Sequence, residues 1–221
     1  MNFFDRLQQD TADAREELVR IPILQDALHG RIGLAQYLAF LAQAYHHVRH
    51  TVPLLMACGS RLPARLAWLR NAIGEYIDEE IGHEEWILSD IAACGGDSQQ
   101  VRQSAPALET ELMVAYAYHQ IDRRNPVGFF GMVHVLEGTS TAIATRAADS
   151  IGASLGLPVN ALTYLTSHGS LDLEHLKFFE RLMNLIDDEE DRAAVIHCSR
   201  AIYRLYGDVF RALPRGERKA A

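Results

Sequence analysis

The chain has 221 residues, 48% hydrophobic and 23% charged, which are ordinary globular proportions at a size that buries a core without staples. A net charge of −8 with scattered basic residues argues against a nucleic-acid surface. Cys58, Cys94 and Cys198 stand far apart with no CxxC pair, which argues against a disulfide framework or zinc ribbon and suits a reducing cytoplasm. The N-terminal MNFFDRLQQD lacks the basic-then-apolar pattern of a leader, and no run approaches eighteen uninterrupted apolar residues, so the expectation is a cytoplasmic chain that does not cross a membrane.

Apolar residues recur at three- and four-residue spacing almost throughout, so the fold class expected is all-α. The first helix is expected over residues 3–19, with Pro22 and Gly30 bounding a short helical piece after it. A long apolar helix over 34–60 follows, kinked at Pro53. It carries His46, His47 and His50. Adjacent helical positions point about 100° apart, so His46 and His47 cannot share one small site, though one of the three can line a pocket.

Pro63 opens the next helix, which runs to about residue 93 and stops at Gly95-Gly96. Ser104 caps a helix over 106–123, and Asn125-Pro126 reads as N-cap plus first-turn proline for one reaching residue 155. After the break at 156–158 come a helix over 161–186 and, behind an acidic start at 187–191, a last helix to residue 213. With no internal repeat and no low-complexity linker, the reading is one domain over 1–221, a bundle of about seven helices with room for a metal or ligand site between its inner faces.

Three of these helices carry the side chains of such a site. On the helix from Pro63, Glu80 and His83 form an E-x-x-H pair, the i, i+3 spacing by which one helix gives a carboxylate and an imidazole to one metal cluster. Glu79, at i−4 from His83, competes with Glu80. Glu137 is a lone carboxylate in an otherwise almost uncharged stretch, costly to bury unless paired, hydrogen-bonded or metal-bound. His168, Asp172 and His175, at i, i+4 and i+7, fall in one stripe of the next helix. Three carboxylates and three imidazoles suit two divalent irons. They over-supply a single zinc, and the absence of thiolates argues against Cu(I) and Fe–S clusters.

In these residues the sequence resembles the haem-oxygenase-like diiron oxidases and oxygenases, relatives of thiaminase II and of pyrroloquinoline-quinone synthase. The resemblance covers roughly residues 34–213. It rests on H-x3-D-x2-H (His168, Asp172, His175), preceded by a Glu/His helix (Glu80, His83) and a lone glutamate about fifty residues on (Glu137). Some members place the first glutamate two turns before the histidine, where this chain has Tyr76. No cysteine lies where thiaminase II carries its nucleophile, and the first helix has no histidine before His29 to hold haem.

The resemblance implies a haem-oxygenase-like (TenA-like) bundle with a diiron-binding core over about 64–186. It implies two Fe(II) ions, with manganese as the alternative metal, and O2 as co-substrate. The implied activity is N-oxygenation or oxidative cleavage of an amine or amino acid, or alternatively fatty-acid oxidative decarboxylation or desaturation. Rival readings are a cofactor-independent oxidase of the quinone-synthase type and a non-enzymatic binding protein. Side chains a turn or two from the ligands are expected to line the substrate pocket: Tyr76, Phe130, His134, Tyr164 and Phe179. The expected partners are a small-molecule substrate, an external electron donor and a second copy in a homodimer.

Overall fold

The computed structural model describes residues 1–214, and of residues 168–175 the backbone alone. Among the described residues there are twelve α-helices and no strand. They are α1 (Phe3–Asp10), α2 (Ala12–Val19), α3 (Pro22–Leu28), α4 (Leu34–Val48), α5 (Thr51–Arg61) and α6 (Ala67–Glu80). Then follow α7 (His83–Ala93), α8 (Ser98–Gln103), α9 (Leu108–Arg123), α10 (Phe130–Leu155), α11 (Thr163–Leu185) and α12 (Glu189–Ala212).

The count exceeds the expected seven largely because three long helices are each broken once. Thr11 leaves helical geometry at φ −114°, ψ 3°, which separates α1 from α2. The expected kink at Pro53 is a break a few residues earlier. The His50 N–H turns back to His47 O, a three-residue closure, and α5 restarts at Thr51. Pro53 then sits in the first turn of α5, where a missing N–H costs nothing. The third break is at Gly82, whose φ of +92° a side-chain-bearing residue adopts only with strain. The short α8 was not expected, and Ser104 ends it rather than capping α9.

Other termini follow their local chemistry. Asn125 Oδ1 accepts the Val127 N–H at 3.0 Å and starts a 3-10 turn that feeds α10. Asp188 Oδ1 accepts the amides of Glu190 and Asp191 to cap α12.

The axis of the molecule is α10, packed against α11 and α12. At Gly131 it meets α12 so closely that a β-carbon would stand 2.5 Å from Val195 O and 2.6 Å from Ser199 N. This helix, with its 3-10 lead-in, is the one segment among the described residues long and apolar enough to cross a membrane. Its most apolar stretch is 61% buried inside the bundle, the mark of a core helix.

Candidate metal centre and its cavity

Gly82 decides the local geometry of the Glu80–His83 pair. The chain turns at Ile81-Gly82, so Glu80 is the last residue of α6 and His83 the first of α7, instead of neighbours on one continuous helix. The bend brings His83 Nδ1 to 3.0 Å from Glu80 Oε2, with the two side chains only 5% and 13% exposed. The Trp86 indole lies over the His83 ring, with centroids 4.0 Å apart. Glu79, the competing carboxylate, is exposed.

Glu80 and Glu137, from α6 and α10, line the same cavity of about 160 Å³. The wall is otherwise mostly aliphatic and aromatic, and no lysine or arginine is among its described residues. His83 stands behind Glu80 and does not line it. The side chains of His168, Asp172 and His175 lie outside the described residues, although α11 carries all three on one helix.

A strut joins the helix of His83 to that of the H-x3-D-x2-H motif. Asp90, two turns beyond His83 on α7, is fully buried, and its two oxygens accept the Thr163 N–H at 3.1 Å and the Tyr164 N–H at 2.8 Å. These are the first amides of α11, whose own N-cap residue, Leu162, supplies no capping side chain. The Tyr37 hydroxyl donates to Ala161 O at 2.9 Å just before it. Burial holds the Asp90 carboxyl above the usual carboxylate range, and the bonds from Tyr164 and Thr163 offset only part of that rise.

Of the expected pocket residues, Tyr76 and Tyr164 line the cavity. Phe130, His134 and Phe179 do not; they are core residues, because their positions on α10 and α11 face neighbouring helices. His134 stacks on Phe179 with centroids 6.0 Å apart, and its Nδ1–H points to Ser199 Oγ at 3.3 Å. Burial drives its pKa down to about 3, which keeps the ring neutral.

The wall also holds residues that sequence reasoning left open or passed over. Of the α4 histidines, His47 lines the cavity, while His46 meets Ser104 Oγ and His50 meets the Tyr118 hydroxyl, as the 100° rule requires. Phe40 was read as generic apolar periodicity. Thr139 is the third: it is buried, and its hydroxyl has no hydrogen-bond partner among the described residues.

Among the described residues no three histidine, cysteine or carboxylate side chains come together as a metal site; Glu80 and Glu137 share the apolar wall and His83 lies against Glu80, and carboxylate with imidazole is donor chemistry of the kind iron takes. No cysteine competes. Burial pushes the Cys58 and Cys198 thiols up to about 12, and none of the three cysteines lines the cavity. His29, the earliest histidine, is exposed and is not among the described residues that line the cavity.

The family model described as iron-containing redox enzyme matches residues 38–207. A domain of unknown function with a heme oxygenase-like fold from Shewanella denitrificans OS217 is similar, at TM-score 0.85 and 23% identity, over 95% of this chain and 91% of that one. A TenA homologue from P. horikoshii OT3 gives 0.76 at 12% identity, over 96% and 99% of the two chains. Heme oxygenase-1 from the cyanobacterium Synechocystis, in complex with heme, gives 0.74 at 9% identity over 96% and 92%. At these identities the structural likenesses establish the fold, which is haem-oxygenase-like. No curated protein matches the chain. The match over residues 38–207, three-quarters of the chain, places this protein in the haem-oxygenase-like family of iron-containing redox enzymes.

Proposed function

We propose that the protein is a non-haem diiron oxidase or oxygenase that uses O2 to oxidise a small molecule. Glu80, His83, Glu137, His168, Asp172 and His175 would hold the irons. The observation that supports this reading is that Glu80 and Glu137, from different helices, both line one mostly apolar cavity, with His83 buried against Glu80. The irons, when bound, supply O2 binding and activation.

The protein's own side chains exclude water and orient the substrate. The apolar wall sequesters the reacting end from solvent, and the buried Thr139 hydroxyl offers a hydrogen bond to a polar atom of a molecule held in the cavity. Oxygenation balances when O2 takes two electrons from the substrate and two, with two protons, from an external reductant. One oxygen atom then enters the product and the other leaves as water.

Amine or amino-acid oxidation is the reading that the resemblance ranks first. The lack of any lysine or arginine on the described wall favours, within this chemistry, a substrate whose bulk is hydrocarbon over a small zwitterion. That makes fatty-acid oxidation, or oxidation of an apolar amine, the stronger form of the proposal.

The test is anaerobic Fe(II) titration followed by an O2 pulse. About two irons per chain are expected. Glu137→Ala and His168→Ala should abolish iron-dependent O2 uptake while keeping the helical fold. Turnover surviving both changes would overturn the assignment.

A further inference from the structure

Residues 139–141 of α10 are three consecutive hydroxyls, and they do not behave alike. Ser140 Oγ stands 3.1 Å from Leu136 O and 3.0 Å from Glu137 O, and Thr141 Oγ1 donates to Glu137 O at 2.8 Å. Both fold back onto their own helix, the usual resort of a hydroxyl in a helix interior. Thr139 does not. It lines the cavity at 8% exposure, and its hydroxyl has no partner among the described residues.

A second such group comes from α12. Tyr206 lines the same cavity, also at 8% exposure, with its ring against those of His47 and Phe210 at centroid distances of 5.9 and 4.7 Å. Its hydroxyl makes no hydrogen bond among the described residues, and burial holds the phenol above its ordinary pKa, so the oxygen keeps its proton. Tyr37, on the same wall, shows the contrast: its hydroxyl is used by the fold, in the bond to Ala161 O.

A buried hydroxyl left without a partner is destabilising, so two of them on one cavity wall mark a place where a bound molecule completes the hydrogen bonding. Two residues along a helix turn the side chain by about 200°, so Thr139 and Glu137 stand at opposite edges of α10's share of the wall. With no lysine or arginine on the described wall, the group that meets two retained O–H donors is a neutral acceptor and not a carboxylate. The volume sets the size of the molecule: about 160 Å³ compares with the apolar cavities of about 150 Å³ that take up one benzene.

We infer that Thr139 and Tyr206 form a subsite for the carbonyl oxygen of a compact, neutral molecule, a ketone or amide whose hydrocarbon body is about the size of one six-membered ring. That this is the molecule's non-reacting end rests on the reading that oxidation takes place at Glu80 and Glu137; the binding itself does not.

The test is equilibrium headspace titration of the metal-free, full-length protein with two volatile probes, cyclohexanone and methylenecyclohexane, which share a shape but not the acceptor oxygen. Thr139→Val and Tyr206→Phe, each of nearly unchanged volume, should each lower the preference for cyclohexanone about tenfold. Thermal unfolding of the same variants without a probe separates this from a role in the fold. Removing an unpartnered hydroxyl should leave the midpoint unchanged or raise it, whereas Tyr37→Phe should lower the midpoint and leave the preference as it was.

Failure of the unaltered protein to bind cyclohexanone would overturn the inference. So would a preference that either Thr139→Val or Tyr206→Phe leaves unmoved, or a midpoint that either lowers by more than about 2 °C. Because the titration is run without iron, its failure leaves the metal assignment standing, and failure to load iron leaves the subsite standing.

Discussion

Asp90 is the sharpest place to perturb the frame of the candidate site. It accepts the first two amides of α11 through two charge-assisted bonds, from a helix that begins at His83. Such bonds contribute about 1.5–3 kcal/mol each. Burial of the carboxylate, visible as its raised pKa, offsets part of this. The net loss for Asp90→Ala is therefore about 3 kcal/mol, since two buried donors are also left without an acceptor. For a chain of this size, that lowers the thermal midpoint by about 6–12 °C. Asp90→Asn keeps one acceptor oxygen and should lose about half as much. The assay is thermal unfolding followed by circular dichroism, with Fe(II) titration of each variant at a temperature where it is folded. Iron affinity should fall as well, because the strut fixes His83's helix against that of His168, Asp172 and His175. An Asp90→Ala midpoint within about 2 °C of the unaltered protein would refute the strut.

Three other substitutions have defined outcomes. Gly82→Ala should cost about 1–2 kcal/mol in urea unfolding and weaken iron binding; at φ +92° with open space around its β-carbon, the penalty is conformational alone. The His134 pKa lies at about 3 in the folded protein against an ordinary 6.5, so its contribution to stability is complete above pH 6.5 and lost as pH falls toward 3. Its full size is on the order of 5 kcal/mol, and His134→Gln should flatten the stability profile through that window. Gly131→Ala forces a methyl group onto the α12 backbone and should destabilise by about 2–3 kcal/mol, read as a lower urea midpoint at unchanged m-value.

The helical nature of the chain was legible because nearly every element is amphipathic at the same period, and the Asn125 and Asp188 caps work as their side chains dictate. The breaks were less legible. Thr11, Arg49 and Gly82 interrupt stretches whose apolar pattern continues across them, so periodicity runs through a bend that tertiary packing imposes. At the candidate site, the E-x-x-H spacing singled out Glu80 and the apolar surroundings singled out Glu137, and both side chains line the cavity. Phe130, His134 and Phe179 were read as pocket residues because they sit near the ligands in sequence. Which side of α10 faces α12 and which faces the cavity is settled by Gly131, where the helices approach too closely for anything else to fit. His47 went unassigned for a similar reason: a histidine on an apolar helix has no local mark of what it faces.

The short contact between His83 and Glu80 has a consequence for how the centre is assembled. Two such groups 3.0 Å apart hold one hydrogen between them. With that hydrogen on the Nδ1 side, His83 Nε2 and Glu80 Oε1 are the atoms that can meet a cation, and the bond between the two side chains fixes the ring's tautomer and orientation in advance.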